Sequence, residues 1–282
     1  MMFFSLKKFI HLCKIDSMQE RHVDRKSYYN EQAYTTEKYV IPFVRDVIAI
    51  NENSKVLEIG CGEGGNLMPF ANIGCEIVGI DILAGKIDNA KQFFKGHKNE
   101  DRISFVADDI YNENAINEKF DLIFMRDVLE HIHDQKKFLH YVTRFLKPDG
   151  KFFLGFPPWQ NPFGGHQQMC KSKLLSVMPY WHILPMPIYK GIMKMFGEKK
   201  SVIEGLAEIK DTRISIERFK RIVKKENYKI DKERFYFINP NYEVKFNLKV
   251  REQSKIFSSI PYLRNFVITT CYYVISLKEI DT

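Results

Sequence analysis

Glycines and a carboxylate share one short segment, VLEIGCGEGGN, between Val56 and Asn66. An apolar run leads into the glycines and helix-forming residues follow, which predicts a buried strand, a tight turn and the start of a helix. Glycine lets a ligand approach the backbone closely, and a helix N-terminus offers unpaired N–H groups. We therefore expect a site for a nucleotide-like ligand in this segment.

Two classes of ligand fit the glycine turn. Gly60, Gly62 and Gly65 satisfy the GxGxxG pattern of dinucleotide sites, and Asp81 follows about 20 residues later at the end of a second strand-like run. Glu58 argues against a diphosphate, because like charges repel in a low-dielectric cleft. A carboxylate at this position suits a ligand with a cationic amino acid end.

The segment resembles the first motif of the class I S-adenosylmethionine-dependent methyltransferases, in which an acidic residue precedes GxGxG. Glu58, Gly60, Gly62 and Gly64 fall on that pattern. Later segments resemble the next motifs of this family in the same order: EIVGIDI (76–82), SFVADDI (104–110), FDLIFMRDVLEHI (120–132) and LKPDGKFFLGFP (146–157). The resemblance covers residues 35–158 and implies S-adenosyl-L-methionine as the cofactor.

The resemblance also implies roles for residues on the cofactor side. Asp81 would bind both ribose hydroxyls, since a carboxylate can accept two O–H bonds. Asp108 would contact the adenine amino group, with Asp109 as the second candidate and a helix cap as the structural alternative for either. The expected cofactor residues are Glu58, Gly60, Cys61, Gly62, Gly64, Asn66, Asp81, Ile82, Asp108, Asp109 and Arg126.

Two histidines are candidate general bases on the acceptor side. His131 follows Glu130 just past the fourth predicted strand, and His166 lies in GGHQQ beside two glycines that would let it swing over the site. Each has a structural alternative, as a residue that packs the next helix or as an ordinary loop histidine. An unperturbed histidine base would give a pH–rate limb at about pH 6–7. Asp127, Glu130 and His131 lack a second ligand pair at metal spacing, so no metal site is predicted.

Strand-like and helix-like segments alternate between residues 55 and 158, which predicts a parallel sheet with right-handed crossovers. Strands are expected at 55–60, 76–81, 103–108, 120–126 and 151–156, and helices at about 64–73, 84–95 and 134–146. Two last strands are expected over 228–238 and 266–278. The predicted fold is α/β, a doubly wound, seven-stranded, mostly parallel sheet of the Rossmann-like class I methyltransferase type.

Residues 1–50 carry a helical pattern, with Tyr34, Tyr39, Phe43 and Val47 near one face. They predict an N-terminal helical lid on a methyltransferase domain at 51–282. Within the opening segment, MMFFSLKKFIHLCKI, a helix packed over the site is favoured over an interfacial helix.

Residues 157–210 are rich in proline, glycine, aromatic residues and methionine, and they are too long for a simple loop. They predict a cap insertion at the carboxyl edge of the sheet, where open α/β sheets bind ligands. Its apolar side chains would line an apolar or sugar-stacking pocket, or else form a small core of the cap itself. These side chains are Trp159, Phe163, Tyr180, Trp181, Met186, Tyr189 and Met193.

The composition limits the cellular compartment and the partners that we expect for the protein. The five cysteines are scattered without a CxxC pair, which favours a reducing cytoplasm over a disulfide framework or a zinc site. The net charge of +8 favours anionic surroundings, but it is spread over mixed Lys/Glu segments and does not favour a nucleic acid partner. No apolar run reaches the roughly 18 residues of a membrane span, and peripheral contact with a membrane stays open.

We therefore predict an enzyme that transfers a methyl group from S-adenosylmethionine to a small molecule, with oxygen as the preferred acceptor atom. The acceptor would be apolar, sugar-like or anionic. Two alternatives remain at this point: a nicotinamide-dependent oxidoreductase, and a non-catalytic protein that binds S-adenosylmethionine as a sensor. The sequence indicates neither the identity of the acceptor nor the oligomeric state.

Overall fold

The computed structural model describes residues 24–278 of the chain. The opening segment MMFFSLKKFIHLCKI, with its predicted helix over the site, lies outside these residues. None of the helices in the described part has the length and apolarity needed to cross a membrane.

One mixed sheet runs through the described residues. Its strands are β1 (Lys55–Ile59), β2 (Glu76–Asp81), β3 (Ile103–Ala107), β4 (Phe120–Arg126), β5 (Leu146–Phe156), β6 (Tyr228–Ile238), β7 (Arg251–Glu252) and β8 (Thr270–Leu277). They lie in the order β3-β2-β1-β4-β5-β8-β6-β7. Strands β1 to β5 pair in parallel, whereas β8 is antiparallel to both β5 and β6.

The predicted α/β architecture is confirmed, and the strand count is corrected from seven to eight. The additional strand, β7, has two residues and pairs with the outer edge of β6. It comes from the long segment between β6 and β8, which turns back along the sheet edge. The fifth strand also begins earlier than predicted, at Leu146.

Helices pack on both faces of the sheet. They are α1 (Arg25–Thr35), α2 (Ile41–Arg45), α3 (Met68–Ile73), α4 (Ala84–Phe94), α5 (Gln135–Val142), α6 (Lys173–Val177), α7 (Met186–Met195), α8 (Lys200–Thr212), α9 (Ile216–Lys225), α10 (Asn241–Phe246) and α11 (Lys255–Ser258). Leu57 and Ile59 of β1 join the hydrophobic cluster that includes α5 and α9. Val56 joins the cluster that includes α2, α3 and α4. This alternation is that of a strand buried on both faces.

A π-helical turn, Thr36–Val40, joins α1 to α2. Such a turn inserts one residue into the helical repeat and rotates the apolar stripe. Phe43 is therefore buried as predicted, whereas Tyr34 is exposed and its hydroxyl group lies 3.2 Å from Glu243 in α10.

The segment after β5 contains helices α6, α7 and α8 with a hydrophobic cluster of their own. Trp181, Tyr189 and Met193 belong to this cluster, so for them a core within the segment replaces a pocket wall. That the N-terminal helices form a lid, and that this segment forms a cap on the domain, stay predictions.

Candidate active site

Gly62 forms the open part of the turn after β1. Its φ is +53°, in the left-handed region, and a Cβ atom built on it would lie 3.8 Å from its nearest neighbour, Cδ of Lys86. Gly64 has φ +78°, but its added Cβ would lie 2.9 Å from the ring of Phe94. The protein therefore leaves space over Gly62, where a ligand can approach, and fills the space beside Gly64.

The glycine turn lies against the segment that follows β4. A Cβ atom on Gly60 would be 2.6 Å from Cγ2 of Val128. The N–H groups of Gly60 and Cys61 both donate to the carbonyl of Ile80 in β2 (2.8 and 3.1 Å). The Cys61 side chain is buried, and burial raises the pKa of its thiol well above the usual range. Both backbone groups of Cys61 are paired within the protein, the N–H with Ile80 and the carbonyl with Gly64, so its contribution to cofactor binding stays a prediction.

Glu58, near the end of β1, is a buried carboxyl group with one oxygen unpaired. Oε1 accepts a 2.7 Å hydrogen bond from Nδ2 of Asn66, whereas Oε2 has no hydrogen-bond partner among the described residues. Burial raises its pKa to about 8, while Asn66 and the charge of Arg126 act in the opposite direction. A carboxyl group held in this way gains a partner and a counter-charge when a cationic group binds above it.

Asp81 ends β2 and braces the glycine turn. Its Oδ2 accepts from the N–H of Gly62 and its Oδ1 from the N–H of Leu83, both at 2.9 Å. A carboxylate has about four acceptor sites, so two remain for hydroxyl groups of a ligand. The next residue, Ile82, is 71% exposed, which is unusual for a large apolar side chain and leaves it free to cover a flat ring.

The two acidic residues after β3 differ in their surroundings. The N–H of Asp108 donates to the carbonyl of Asp81 (3.2 Å), and its carboxylate accepts from Asp109 and Asn112. Asp109 is exposed, and it accepts from the N–H of Tyr111 as a turn-forming residue does. Asp108 is thus joined to the end of β2, while Asp109 shapes the next turn.

Arg126, at the end of β4, connects the N-terminal helices to the floor of the site. It is buried, and its Nη1 donates to Oγ1 of Thr36 (3.3 Å). Oγ1 of Thr36 in turn donates to Oδ1 of Asn66 (3.0 Å), which fixes the amide that binds Glu58. The guanidinium therefore acts on the cofactor side through Asn66 and through its field on Glu58.

The candidate acceptor residues come together. Nε2 of His166 lies 3.9 Å from Oε1 of Glu130, and the rings of His131 and His166 are 5.2 Å apart. Burial, with the charge of His131 in second place, lowers the pKa of His166 to about 4. Desolvation by the surrounding protein also lowers the pKa of His131, although its side chain keeps access to solvent. Burial followed by the charge of Asp127 raises the pKa of Glu130 well above its ordinary value. At neutral pH both imidazoles are therefore uncharged and can accept a proton.

The segment after β5 is fastened to this group of residues. Oγ1 of Thr212, the last residue of α8, donates to the carbonyl of Glu130 (2.5 Å). The side chain of Gln135 reaches the carbonyl of Thr212, and His133 pairs with Glu208 at 3.0 Å. These contacts set the distance between His166, which comes from the cap, and the turn after β4.

One expectation about the cap requires correction. Gly164 and Gly165 do not serve as a swivel for His166, because an added Cβ would lie 2.1 Å from the carbonyl oxygen of Trp159 and 2.3 Å from Cβ of His182, respectively. Both glycines allow close packing instead. His166 itself has φ +53°, so the backbone that presents it is specified by this packing.

Sequence reasoning missed Tyr28 and Lys245. Burial and then the charge of Asp127 raise the pKa of Tyr28, which places its hydroxyl near the turn after β4. Nζ of Lys245 lies 5.9 Å from the Tyr28 ring, and its charge acts on His166. Both residues come from helices outside the recognised motifs, and neither has a spacing that indicates a site.

The sheet order, the glycine turn, and the carboxylates at the ends of β1 and β2 define a class I methyltransferase fold. The chain matches the family model described as "Methyltransferase domain" over residues 29–183, more than half of its length, and it belongs to that family. This is a family of methyltransferase enzymes, so the dinucleotide alternative is wrong.

Two curated relatives illustrate the range of the family. The chain is 35% identical to a ubiquinone biosynthesis O-methyltransferase from Bartonella tribocorum over 125 residues, which cover 43% of this chain and 49% of the relative. It is 30% identical to a phosphoethanolamine N-methyltransferase from Plasmodium falciparum over 155 residues, 52% of this chain and 57% of the relative. The chain therefore matches about half the length of these relatives.

The fold is also that of a solved structure, magnesium protoporphyrin IX methyltransferase from Synechocystis with bound SAH. The TM-score is 0.52 at 14% identity, and the match covers 88% of this chain and 84% of the other. At this identity the similarity concerns the fold.

Proposed function

We propose that this protein transfers a methyl group from S-adenosylmethionine to a small-molecule acceptor, with oxygen as the preferred acceptor atom. The observation that carries the proposal is the unpaired Oε2 of Glu58 beside the open turn at Gly62. A buried carboxyl group without a partner is costly, and the amino group of the cofactor supplies that partner.

The residues around Glu58 fit the rest of the cofactor. Asp81 has acceptor capacity for the ribose hydroxyls, and Ile82 offers an exposed apolar surface to the adenine ring. Asp108 is our candidate for the adenine amino group, because its N–H is bonded to the carbonyl of Asp81. When bound, S-adenosylmethionine supplies an electrophilic methyl group. The chain itself supplies binding, alignment and the exclusion of water.

On the acceptor side, His131 and His166 are our candidates for the group that removes the acceptor's proton. Both are uncharged at neutral pH, and their ring centroids are 5.2 Å apart, with one ring from the turn after β4 and one from the cap. An oxygen acceptor needs such a group more than a neutral amine does, because a hydroxyl is a poor nucleophile while protonated.

The proposal also covers the cellular compartment and the chemical character of the acceptor. The four cysteines in the described residues are free and buried, which is consistent with the predicted reducing cytoplasm. Lys245, whose charge acts on His166, and Tyr28, whose ring lies 5.9 Å from Nζ of Lys245, favour an acceptor that is anionic or carries an oxygen-rich ring. Nucleic acid is not part of the proposal.

The test is turnover of S-adenosylmethionine to S-adenosylhomocysteine with a panel of phenols, catechols, carboxylic acids, sugars and amines. We expect activity with at least one oxygen nucleophile, with the product mass raised by one methylene unit. Activity confined to amines would move the acceptor atom to nitrogen. Tight cofactor binding without turnover on any member of the panel would favour the non-catalytic sensor.

A further inference from the structure

Glu130, His131 and His166 form a compact group of ligand atoms. One oxygen or nitrogen atom from each lies within 4.8 Å of the other two, and in residues 24–278 this is the single group of three or more His, Cys, Asp or Glu side chains so arranged. The first two residues follow β4, and the third comes from the cap.

Glu130 is the unusual member of this group. Its side chain is 5% exposed, and neither Oε1 nor Oε2 has a hydrogen-bond partner among the described residues. A carboxylate in an apolar interior needs a counter-charge or a set of donors. Nε2 of His166 is 3.9 Å from Oε1 of Glu130, too far for a hydrogen bond.

The backbone positions of the group are fixed from both sides. The carbonyl of Glu130 accepts from Thr212, which ends α8. His166 is held at φ +53° next to Gly165, which packs against His182. Small side-chain rotations can therefore bring the three ligands together while the backbone stays in place.

We propose that Glu130, His131 and His166 bind one divalent transition-metal ion, Zn²⁺ or Mn²⁺. Two imidazoles and one carboxylate are ligands that such ions accept, whereas Mg²⁺ and Ca²⁺ prefer sets of oxygen atoms. Ligand atoms around a tetrahedral Zn²⁺ lie roughly 3.4 Å apart, so the side chains close by about 1 Å.

The metal gives the acceptor side a chemical role. His131 is exposed, so a coordination position on its side of the ion remains open to a small molecule. A hydroxyl bound there would have a lower pKa and would lose its proton to water, in place of the transfer to His131 or His166 that a metal-free site would use. Its oxygen then forms the bond to the methyl carbon while the carbon–sulfur bond breaks and its electron pair stays on sulfur. This role rests on the proposed function, whereas the binding of the metal does not.

The site escaped sequence analysis because its third ligand is distant in the chain. The local pattern of Asp127, Glu130 and His131 offers a single histidine. The structure replaces Asp127 by His166, which no local spacing can connect to β4.

The experiment measures Zn²⁺ binding to the full chain after treatment with a chelator, by equilibrium dialysis and calorimetry. We expect one high-affinity Zn²⁺ per chain, competition by Mn²⁺, and no binding of Mg²⁺ at the same concentration. Glu130→Gln, His131→Ala and His166→Ala should each weaken binding by at least about 100-fold, since second-shell partners alone cost 10–100-fold. His133→Ala is the control, because His133 lies two residues away and is exposed with Glu208 as its partner.

The outcomes separate the two proposals. Unchanged Zn²⁺ affinity in Glu130→Gln, or an equal loss in His133→Ala, would overturn the metal site. If His166→Ala fails to fold by circular dichroism, the isosteric Glu130→Gln and the exposed His131→Ala still decide. Stoichiometric Zn²⁺ without methyl transfer would refute the proposed function and leave the site, and full turnover in the chelator-treated protein would refute the role of the metal in catalysis.

Discussion

Nδ2 of Asn66 donates a 2.7 Å hydrogen bond to Oε1 of Glu58, and the other oxygen of that carboxyl group has no partner in the interior. The two residues belong to different elements, β1 and the turn that precedes α3. Thr36 donates a hydrogen bond to the oxygen of that amide, and Arg126 in turn donates to Thr36. The unpaired oxygen is therefore positioned before any ligand arrives.

This arrangement predicts that cofactor binding releases a proton. The pKa of Glu58 is raised to about 8, so the free protein holds this group protonated at pH 7. A cationic amino group favours the ionised form, and the affinity should therefore rise as pH increases towards 8. Calorimetry at pH 7 in two buffers of different ionisation enthalpy measures the released proton.

Glu58→Gln should remove both the proton release and the pH dependence. It should also weaken binding by about 1.5–3 kcal/mol, the value of a hydrogen bond to a charged group. A Gln variant that binds with the same pH dependence as the wild type would show that another group titrates.

A second prediction separates the ribose role of Asp81 from its structural role. Asp81 accepts from Gly62 and Leu83, so Asp81→Ala should lower both cofactor affinity and stability. Asp81→Asn keeps one acceptor oxygen and should lose about 2–3 kcal/mol of cofactor binding with a smaller change in melting temperature. Asp88→Asn, an exposed change in α4, is the control for charge. Equal affinity of the Asn variant and the control would exclude the ribose contact.

A third prediction compares two glycines of one turn. Gly62→Ala should stay folded, at a cost of about 1–2 kcal/mol for a left-handed backbone, yet lose cofactor binding because its methyl group enters the ligand space. Gly64→Ala should mainly lower the melting temperature, because its methyl group meets Phe94. Circular dichroism and a binding titration on both variants check the contrast. The reverse pattern would place the ligand elsewhere.

The sequence predicted what local patterns encode. β1 to β4, the glycine turn and Asp81 follow from apolar runs and turn residues, and they were predicted within a residue or two. The buried face of the N-terminal helices differs from the predicted one, because the π turn at Thr36–Val40 leaves no clear sequence signal. Gly164 and Gly165 were misread because their tight neighbours, Trp159 and His182, are known only from tertiary packing.

The acceptor side was the least predictable part for the same reason. His166 meets Glu130 only because α8 is fastened to the turn after β4. Sequence motifs reveal the cofactor side, because most of its expected contacts come from one strand and the turn that follows it. The acceptor side is assembled from β4, the cap and the N-terminal helix, so its geometry depends on long-range packing.

The fourth prediction concerns the pH dependence of turnover. Burial lowers the pKa of His166 to about 4, so this histidine keeps its charge between about pH 6 and 8, and burial also lowers the pKa of His131. With His166 as the base of the metal-free site, turnover should lack the limb at pH 6–7 that an unperturbed histidine would give, and it should decline only nearer pH 4 as His166 takes up a proton. A pH profile of kcat/KM measures this. A limb at about 6.5 that disappears in His131→Ala would show that this histidine titrates freely.

The last prediction tests the N-terminal helix as a lid over the cofactor. Nε of Arg25 pairs with the buried Glu63 of the glycine turn at 2.5 Å, and Gly65 lies beneath the carbonyl of Tyr29. Among the described residues, Arg25→Ala leaves the Glu63 carboxylate with Asn89 as its remaining hydrogen-bond partner, and we expect a loss of about 1–3 kcal/mol in stability.

If α1 covers the cofactor, the same change should speed cofactor dissociation and expose the helix to protease earlier. Lys26→Ala is the matched control, because it removes the same charge from the same helix but only a contact with the rings of Tyr29 and Phe93. Stopped-flow dissociation and limited proteolysis compare the two variants. Equal dissociation rates would mean that the Arg25–Glu63 pair does not hold the helix over the site, and the lid would then have to depend on the packing of Tyr29 against Gly65.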